Sequence, residues 1–326
     1  MIADSAQGLH CAAGGFHLDP REPVERAVIT HAHGDHARAG SAAYLCVSEC
    51  APLLRRRLGP EARVETLAYG ERRRIGDVEV SFHPAGHMLG SAQVRIEGAG
   101  GVWVVSGDYK RERDPTCPAF EPQRCRTLIT EATYALPLFR WEEPASVARQ
   151  ILSWWQSNAE KASLLFCYAL GKAQRILAEL ALLTDRPAYL HGAVEPYAQA
   201  YRDAGVRLLP TKLVGDSRGL TGELILAPIT ARGTPWMKRF SRFESAFASG
   251  LLRIRGTRRR RGFDRGFVLS DHADWPGLLR TIRETGAEQV LATHGYHESL
   301  VRWLRESGLE AAPIGTAQPS LDPEGD

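Results

Sequence analysis

Ala27-Val-Ile-Thr30 runs directly into His31-Ala-His33-Gly-Asp35-His36. The first four residues are of buried-strand type; the next six hold four potential metal ligands, with a glycine among them that lets the backbone turn. Side chains alternate along an extended segment, so His31 and His33 project to the same side and both imidazoles can reach one ion. Asp35 and His36 lie just past the turn, where they can face a second ion a few ångströms away. A solvated polar loop is a poor account of this stretch, because the whole chain holds only 11 histidines.

The 326 residues suffice for one large domain or two ordinary ones, and 44% hydrophobic content supports a sizeable core. The formal charge of +3 hides an uneven distribution, with five lysines against many arginines, seven of which fall between Arg253 and Arg265. Arginine pairs with phosphate through two hydrogen bonds, so this cluster reads either as part of a nucleic-acid surface or as a solvated face. The six cysteines show no Cys-x-x-Cys pairing, and no basic-plus-apolar leader precedes them, which predicts a reduced, cytoplasmic protein. No apolar run approaches the roughly 18 residues of a membrane helix, so no membrane partner is expected.

On the N-terminal side, Gly14-Gly-Phe-His-Leu-Asp19-Pro reads as a short strand ending in an acid, and Asp19 is a candidate to hold a metal-bound imidazole or the metal loop from behind. Downstream, Ala51–Leu58 reads as a short helix with proline in its first turn. Strands are predicted at 78–82, 92–96, 102–106 and 127–130. Three of them lead into candidate groups: His87 in Gly-His-Met-Leu-Gly-Ser, Asp108 in Ser-Gly-Asp, and Glu131.

From about 141 to 250 helix and strand alternate: helices at 144–159 and 174–183, strands at 163–168 and 188–190. Within this stretch Gly171-Lys172-Ala-Gln174 sits where a strand passes into a helix, a turn that can offer backbone N–H groups and a cation to phosphate. The final part returns to the first texture. A strand at 266–270 ends in Asp271-His272-Ala-Asp274, and one at 289–293 ends in His294-Gly-Tyr. Helices follow at 276–285 and 298–307, and the last ten residues read as a loose tail.

The order Asp19, His31-x-His33-x-Asp35-His36, His87, Asp108, Glu131, His272, His294 resembles the metallo-β-lactamase superfamily and, within it, the β-CASP nucleases. Closest in resemblance are the bacterial ligase-associated DNA exonucleases, through residues 84–95, 104–110, 168–175 and 266–277. The resemblance implies an α/β fold, a metallo-β-lactamase αββα sandwich with an inserted α/β β-CASP cap. The first part of the sandwich would occupy residues 1–140, the cap 141–262 and the second part 263–326. A histidine at the last motif, His294, is the pattern of the RNA-processing members, whereas DNA cross-link repair members carry an apolar residue there.

Carried over residue by residue, the resemblance implies two divalent ions. His31, His33 and His87 would hold one, Asp35, His36 and His294 the other, and Asp108 would bridge them. Nitrogen and oxygen donors without cysteine suit Zn²⁺ or Mn²⁺. Such a pair supplies hydroxide near neutral pH to attack a phosphodiester, with His272, oriented by Glu131, as general acid. Asp35, His272 and Glu131 form the implied catalytic set. Lys172, Gln174 and Arg258, Arg259, Arg260 and Arg261 are the candidate phosphate contacts.

The expected activity is a DNA exonuclease in repair, with an RNA-processing nuclease as runner-up and a small-molecule metallohydrolase a more distant alternative. DNA is the favoured substrate, and the resemblance implies an ATP-dependent DNA ligase and a helicase as functional companions.

Overall fold

The apolar run that precedes the histidines is an inner strand of a sheet. The structure, a computed structural model, describes residues 1–315; the tail expected over the last ten residues lies outside the described residues. Strands β1 (Ile2–Ser5), β2 (Gly8–Cys11), β3 (Phe16–Leu18), β4 (Arg26–Val28), β5 (Ala43–Val47) and β6 (Val64–Leu67) form a six-stranded sheet in that order. The first three are antiparallel and β3 to β6 run parallel. Helix α1 (Ala51–Leu58), with Pro52 in its first turn, connects β5 to β6 and buries Leu53 and Leu54.

A second sheet takes β7 (Arg72–Ile75), β8 (Val78–Pro84), β9 (Ala92–Gly98), β10 (Gly101–Val105) and β11 (Thr127–Glu131). It is completed by two strands from the end of the chain, Gln289–Thr293 and Glu310–Pro313. From β7 to β10 the pairing is antiparallel, and from β10 onward parallel. Every residue of β11 is buried, as expected of a parallel strand with neighbours on both sides. The Ala92 N–H donates to the Thr30 carbonyl at 2.9 Å, tying the start of β9 to the loop that carries the histidines.

The chain divides into two compact units: residues 1–140 together with His272 onward, and Trp141–Asp271. The second unit holds α2 (Pro144–Ser157), β12 (Ala162–Cys167), α3 (Lys172–Leu180), β13 (Ala188–Leu190), α4 (Glu195–Asp203), β14 (Thr211–Leu213), β15 (Leu224–Pro228), β16 (Phe243–Ala248), α5 (Thr257–Arg260) and β17 (Arg265–Phe267). Its six strands form an all-parallel sheet in the order β14-β13-β15-β12-β16-β17. Apolar clusters lie on both faces, one around Trp155, Leu165 and Leu226, the other around Phe166, Ile225 and Phe247. The unit extends past the expected limit of 262 because Arg265-Gly-Phe267 pairs in parallel with Ala246–Ala248.

The first unit then closes with α6 (Trp275–Thr285), β18 (Gln289–Thr293), α7 (His297–Glu306) and β19 (Glu310–Pro313). Leu278, Ile282, Leu300, Val301 and Leu304 of the two helices pack with Leu128, Val290 and Ala292 of the second sheet. Each such side chain, once buried, stabilises by roughly 1.5–3 kcal/mol. Parallel strands β4, β10, β11 and β18 therefore deliver their C-terminal ends, and the polar residues after them, from a well-packed base.

Candidate metal centre

The loop after β4 is closed locally, with the His36 and Ala37 N–H groups both donating to the His33 carbonyl, at 3.2 and 2.9 Å. Arg57 of α1 donates from Nε to the Ala32 carbonyl at 2.6 Å and pins the loop from outside. His87 arrives from the turn after β8, where its N–H and that of Met88 both donate to Ser91 Oγ at 3.1 Å. Gly90 of that turn has φ 71°, and a Cβ there would lie 2.4 Å from the Cys50 backbone, so no larger residue fits.

These loops bring His31, His33, His87 and Asp108 together, with one ligand atom of each within 4.8 Å of the others. His33 Nδ1 lies 3.2 Å from His31 Nε2 and 3.2 Å from His87 Nε2. The edge of a tetrahedron of nitrogens about 2.05 Å from a zinc ion is about 3.3 Å, so the three imidazoles already hold the spacing of a metal's coordination shell. Three ring nitrogens turned toward one another can all offer their lone pairs to a single cation. Asp108 Oδ2 adds an oxygen donor, 3.5 Å from His31 Nε2 and 3.9 Å from His87 Nε2. The donor set fits a divalent ion of the zinc or manganese type.

Around His36 the arrangement is more open. Its Nδ1 faces Asp19 Oδ2 at 2.8 Å, which leaves Nε2 facing Asp108 Oδ2 at 3.4 Å and Asp35 Oδ2 at 3.5 Å. The His294 ring lies 5.6 Å from the His36 ring, centroid to centroid. Among the described residues Asp35, His36 and His294 do not form a compact donor group; the second such group is instead Asp108, Glu131 and His272. His294 has a φ of 61°, and a Cβ on the next residue, Gly295, would lie 2.4 Å from the Ala132 carbonyl oxygen, so the backbone turns sharply beneath the histidine.

Asp19 works from behind the loop. Its carboxylate accepts from the Thr30 N–H at 2.8 Å and the Thr30 hydroxyl at 2.6 Å as well as facing His36, so a single acid fixes both the strand end and the ring. Burial disfavours a charge on His36, but Asp108, Asp35 and Asp19 outweigh it and raise its pKa well above the ordinary histidine value. Burial likewise opposes ionisation of Asp108, yet His36 and His272 beside it hold its pKa well below the usual carboxylate range. His31 goes the other way: burial first, then the neighbouring His36, lowers its pKa well below normal, keeping it neutral with a lone pair to donate.

Behind this group, His272 Nδ1 lies 2.9 Å from Glu131 Oε2 and 3.9 Å from Asp108 Oδ2. Glu131 Oε1 accepts from the Tyr109 N–H at 2.8 Å, so its carboxylate is held at both oxygens. Sequence reasoning missed Thr30, Ser91 and the Tyr109 N–H. Ser91 had a readable signal, a serine three and four residues after the N–H groups it accepts; the others depend on which strands meet.

The candidate phosphate contacts separate by burial. Lys172 and Gln174, the candidates of the strand-to-helix turn, are buried. Gln174 Oε1 accepts from the Gly171 N–H at 2.7 Å and its Nε2 donates to the Ala169 carbonyl at 2.9 Å, while Lys172 Nζ lies 3.7 Å from Asp271 Oδ2. Arg258, half-buried, donates to the Phe263 and Asp264 carbonyls and staples the loop beyond α5. Arg259 and Arg260 are exposed, and Arg261 is partly so.

No family model matches the chain. It is 30% identical over 314 residues to a probable DNA ligase of Opitutus terrae, an alignment covering 95% of this chain and 31% of that protein. It is 30% identical over 217 residues to ribonuclease TTHA0252 of Thermus thermophilus, covering 58% of this chain and 48% of the ribonuclease. Cleavage and polyadenylation specificity factor 73 of Drosophila melanogaster is 29% identical over 177 residues, covering 52% of this chain and 26% of that one. The chain thus spans about half or less of the curated relatives it matches. A protein of unknown function from Enterococcus faecalis shares the fold, with a TM-score of 0.60 at 12% identity over 90% of this chain and 80% of its own.

Proposed function

We propose that the chain is a metal-dependent phosphodiesterase acting on nucleic acid, a β-CASP member of the metallo-β-lactamase superfamily whose residues 141–271 serve as the inserted cap of an αββα sandwich. The observation that carries this reading is the adjacency of two groups: the converging His31, His33, His87 and Asp108 donors, and the Glu131–His272 pair behind them. Two relatives named as a ribonuclease and a cleavage and polyadenylation specificity factor support it from outside the geometry.

Divalent ions, when bound there, supply Lewis acidity toward a phosphoryl oxygen and lower the pKa of water. His31, His33, His87 and Asp108 would hold one ion; Asp35, His36 and His294, a looser set that would have to draw together, would with Asp108 take a second. The remaining roles fall to the chain's own groups. Asp19 orients His36, so that Nε2 is the atom presented to the cleft. Glu131 orients His272 through Nδ1, which suits the ring to deliver a proton to the departing sugar oxygen. Asp35, exposed at the mouth, keeps the entry negative for a cation.

The preferred substrate in this reading is DNA, trimmed from an end during repair. The match of nearly the whole chain to part of a probable DNA ligase favours DNA; a ligase and a helicase as companions rest on the sequence resemblance alone. A second reading, RNA processing, is favoured by the ribonuclease and the cleavage and polyadenylation factor among the relatives and by the histidine at position 294. Among the described residues no helix is long and apolar enough to cross a membrane.

The deciding experiment incubates the protein, loaded with Mn²⁺ or Zn²⁺, with end-labelled single-stranded DNA, duplex DNA and RNA of matched sequence, beside an Asp35→Ala, His36→Ala control. Stepwise loss of DNA label that the control abolishes is the expected result and reports polarity. Preferential RNA cleavage supports the second reading. Cleavage of no polymer overturns both and directs attention to small-molecule esters.

A further inference from the structure

The second unit carries an arginine-rich cleft of its own. It encloses about 760 Å³, within the range of ~300–1,000 Å³ typical of ligand clefts. Arg232, Arg260 and Arg261 line it against a single acid, Asp264. That acid is turned inward, its Oδ2 accepting from the Ser245 N–H at 2.8 Å and the Ser245 hydroxyl at 2.6 Å. Arg232 donates to the Gly262 carbonyl, and Arg260 to the Thr257 hydroxyl at 3.0 Å and the Arg255 carbonyl at 3.4 Å. These are neutral acceptors, so both guanidinium groups keep their full charge.

One lining residue, Phe263, backs those charges with an aromatic ring and rests in turn on the buried Phe247. Phe247 and Phe263 stack with centroids 5.1 Å apart and rings 13° from parallel. Arg232 lies 4.3 Å above the Phe263 ring and Arg261 5.3 Å from the Phe247 ring. A guanidinium held over an aromatic ring loses less freedom when its N–H groups meet a phosphate. Gly262 suits the turn beneath Arg232, since its φ of 66° is a conformation that other residues rarely adopt. At the rim, Phe243 is 38% exposed, a large flat ring offered to solvent beside the cations.

From this combination we infer that the cleft of Arg232, Arg260, Arg261 and Phe243 is a second binding site for single-stranded nucleic acid, its arginines taking successive phosphates and Phe243 stacking a base. Preorganised cations with an exposed aromatic ring are the recognition chemistry of single strands, whereas a plain polyanion surface needs no ring. The site would grip substrate through residues other than those that cut it, and in that sense it rests on the nuclease reading. Another basic patch, on edge strand β7, lacks this chemistry: Arg72 and Arg73 are paired with Glu79 and Glu65 at 3.0 and 3.1 Å.

The test measures binding by fluorescence anisotropy of a labelled single-stranded oligonucleotide, DNA and RNA in turn, to the full chain in a chelator that prevents cleavage. Arg260→Glu, Arg261→Glu should weaken binding about tenfold or more and flatten the dependence of log K on log salt by about 1.4, at ~0.7 for each phosphate no longer neutralised. Phe243→Ala should weaken binding by about fivefold or more for the oligonucleotide and leave an abasic strand of equal charge unaffected.

Arg72→Glu, Arg73→Glu serves as the control and should change little, and thermal melting verifies that each variant is folded. Unchanged affinity and salt slope in the Arg260/Arg261 variant would overturn the site. A silent Phe243→Ala, with abasic and base-bearing strands bound alike, would overturn the single-strand assignment in favour of a general polyanion surface. Because binding is read without cleavage, binding through this cleft by a protein that cuts no polymer would uphold the site while removing the nuclease reading.

Discussion

At Asp19 one carboxylate gathers the Thr30 N–H, the Thr30 hydroxyl and His36 Nδ1, and so sets which nitrogen of His36 faces the cleft. The same acid, with Asp108 and Asp35, raises the His36 pKa well above normal. A histidine whose folded pKa is raised stabilises the metal-free protein fully below its unfolded pKa of about 6.5, and that contribution is lost as pH rises through the folded value. Ligation needs the neutral ring, so in the proposed site metal binding to His36 near pH 7 expels this proton. Titration of the metal-free protein with Zn²⁺ should therefore give heats that vary with buffer ionisation enthalpy, and an affinity that rises with pH. Heats independent of buffer would show that His36 is neutral before the metal arrives.

His272 poses a separate question at this scale, since it belongs with Asp108 and Glu131 to a group that could itself hold a cation. As a proton donor, its replacement by alanine should cut the rate by ~10²–10⁴-fold and leave metal content, read by elemental analysis, unchanged. Loss of metal along with rate would make it a ligand instead. These side chains were legible because histidine and aspartate are rare enough to stand out behind apolar strands. Their mutual distances were not, because Asp108 and His31 meet only when two sheets do.

At the scale of elements, the turn between β8 and β9 shows how a backbone constraint places a side chain. Gly90 has φ 71° and a missing Cβ that would collide with Cys50 at 2.4 Å, so the turn sits directly on the short helical segment before α1. Gly90→Ala should destabilise the protein by about 1–3 kcal/mol and loosen His87, which shares the turn. Denaturant unfolding measures the first, and Zn²⁺ affinity the second. A variant with unchanged stability and metal affinity would show that the turn relaxes freely. Elements with a strong apolar pattern were readable from sequence alone: the helix predicted over 51–58 forms over those residues, and strands β8 to β11 lie where alternation or apolar runs suggested. Strands such as β1, Ile2-Ala-Asp-Ser5, and β7, Arg72-Arg-Arg-Ile75, carried no such pattern. They are short edge strands held by the neighbour's hydrogen bonds rather than by their own burial.

For the whole molecule, the change in sequence texture near 141 reflects a change from mixed sheets to one all-parallel sheet with apolar clusters on both faces. The return point was harder to read, because Gly266-Phe-Val-Leu looks like any buried strand and only its pairing with β16 assigns it to the second unit. Both apolar clusters of that unit are drawn from residues 141–271 alone. A fragment of those residues should therefore fold by itself and melt cooperatively, as a domain with its own core does. The histidine donors all lie in the first unit, which gives the fragment a second use. Zn²⁺ at about 100 times its Kd should stabilise the full chain by ~2.7 kcal/mol through binding to the native state, and should leave the fragment's melting temperature where it was. Calorimetry of both proteins with and without Zn²⁺ checks this. A fragment that melts without cooperativity would show that its core depends on the first unit, and a fragment stabilised by Zn²⁺ to the same extent as the full chain would move the metal site out of the histidine loops altogether.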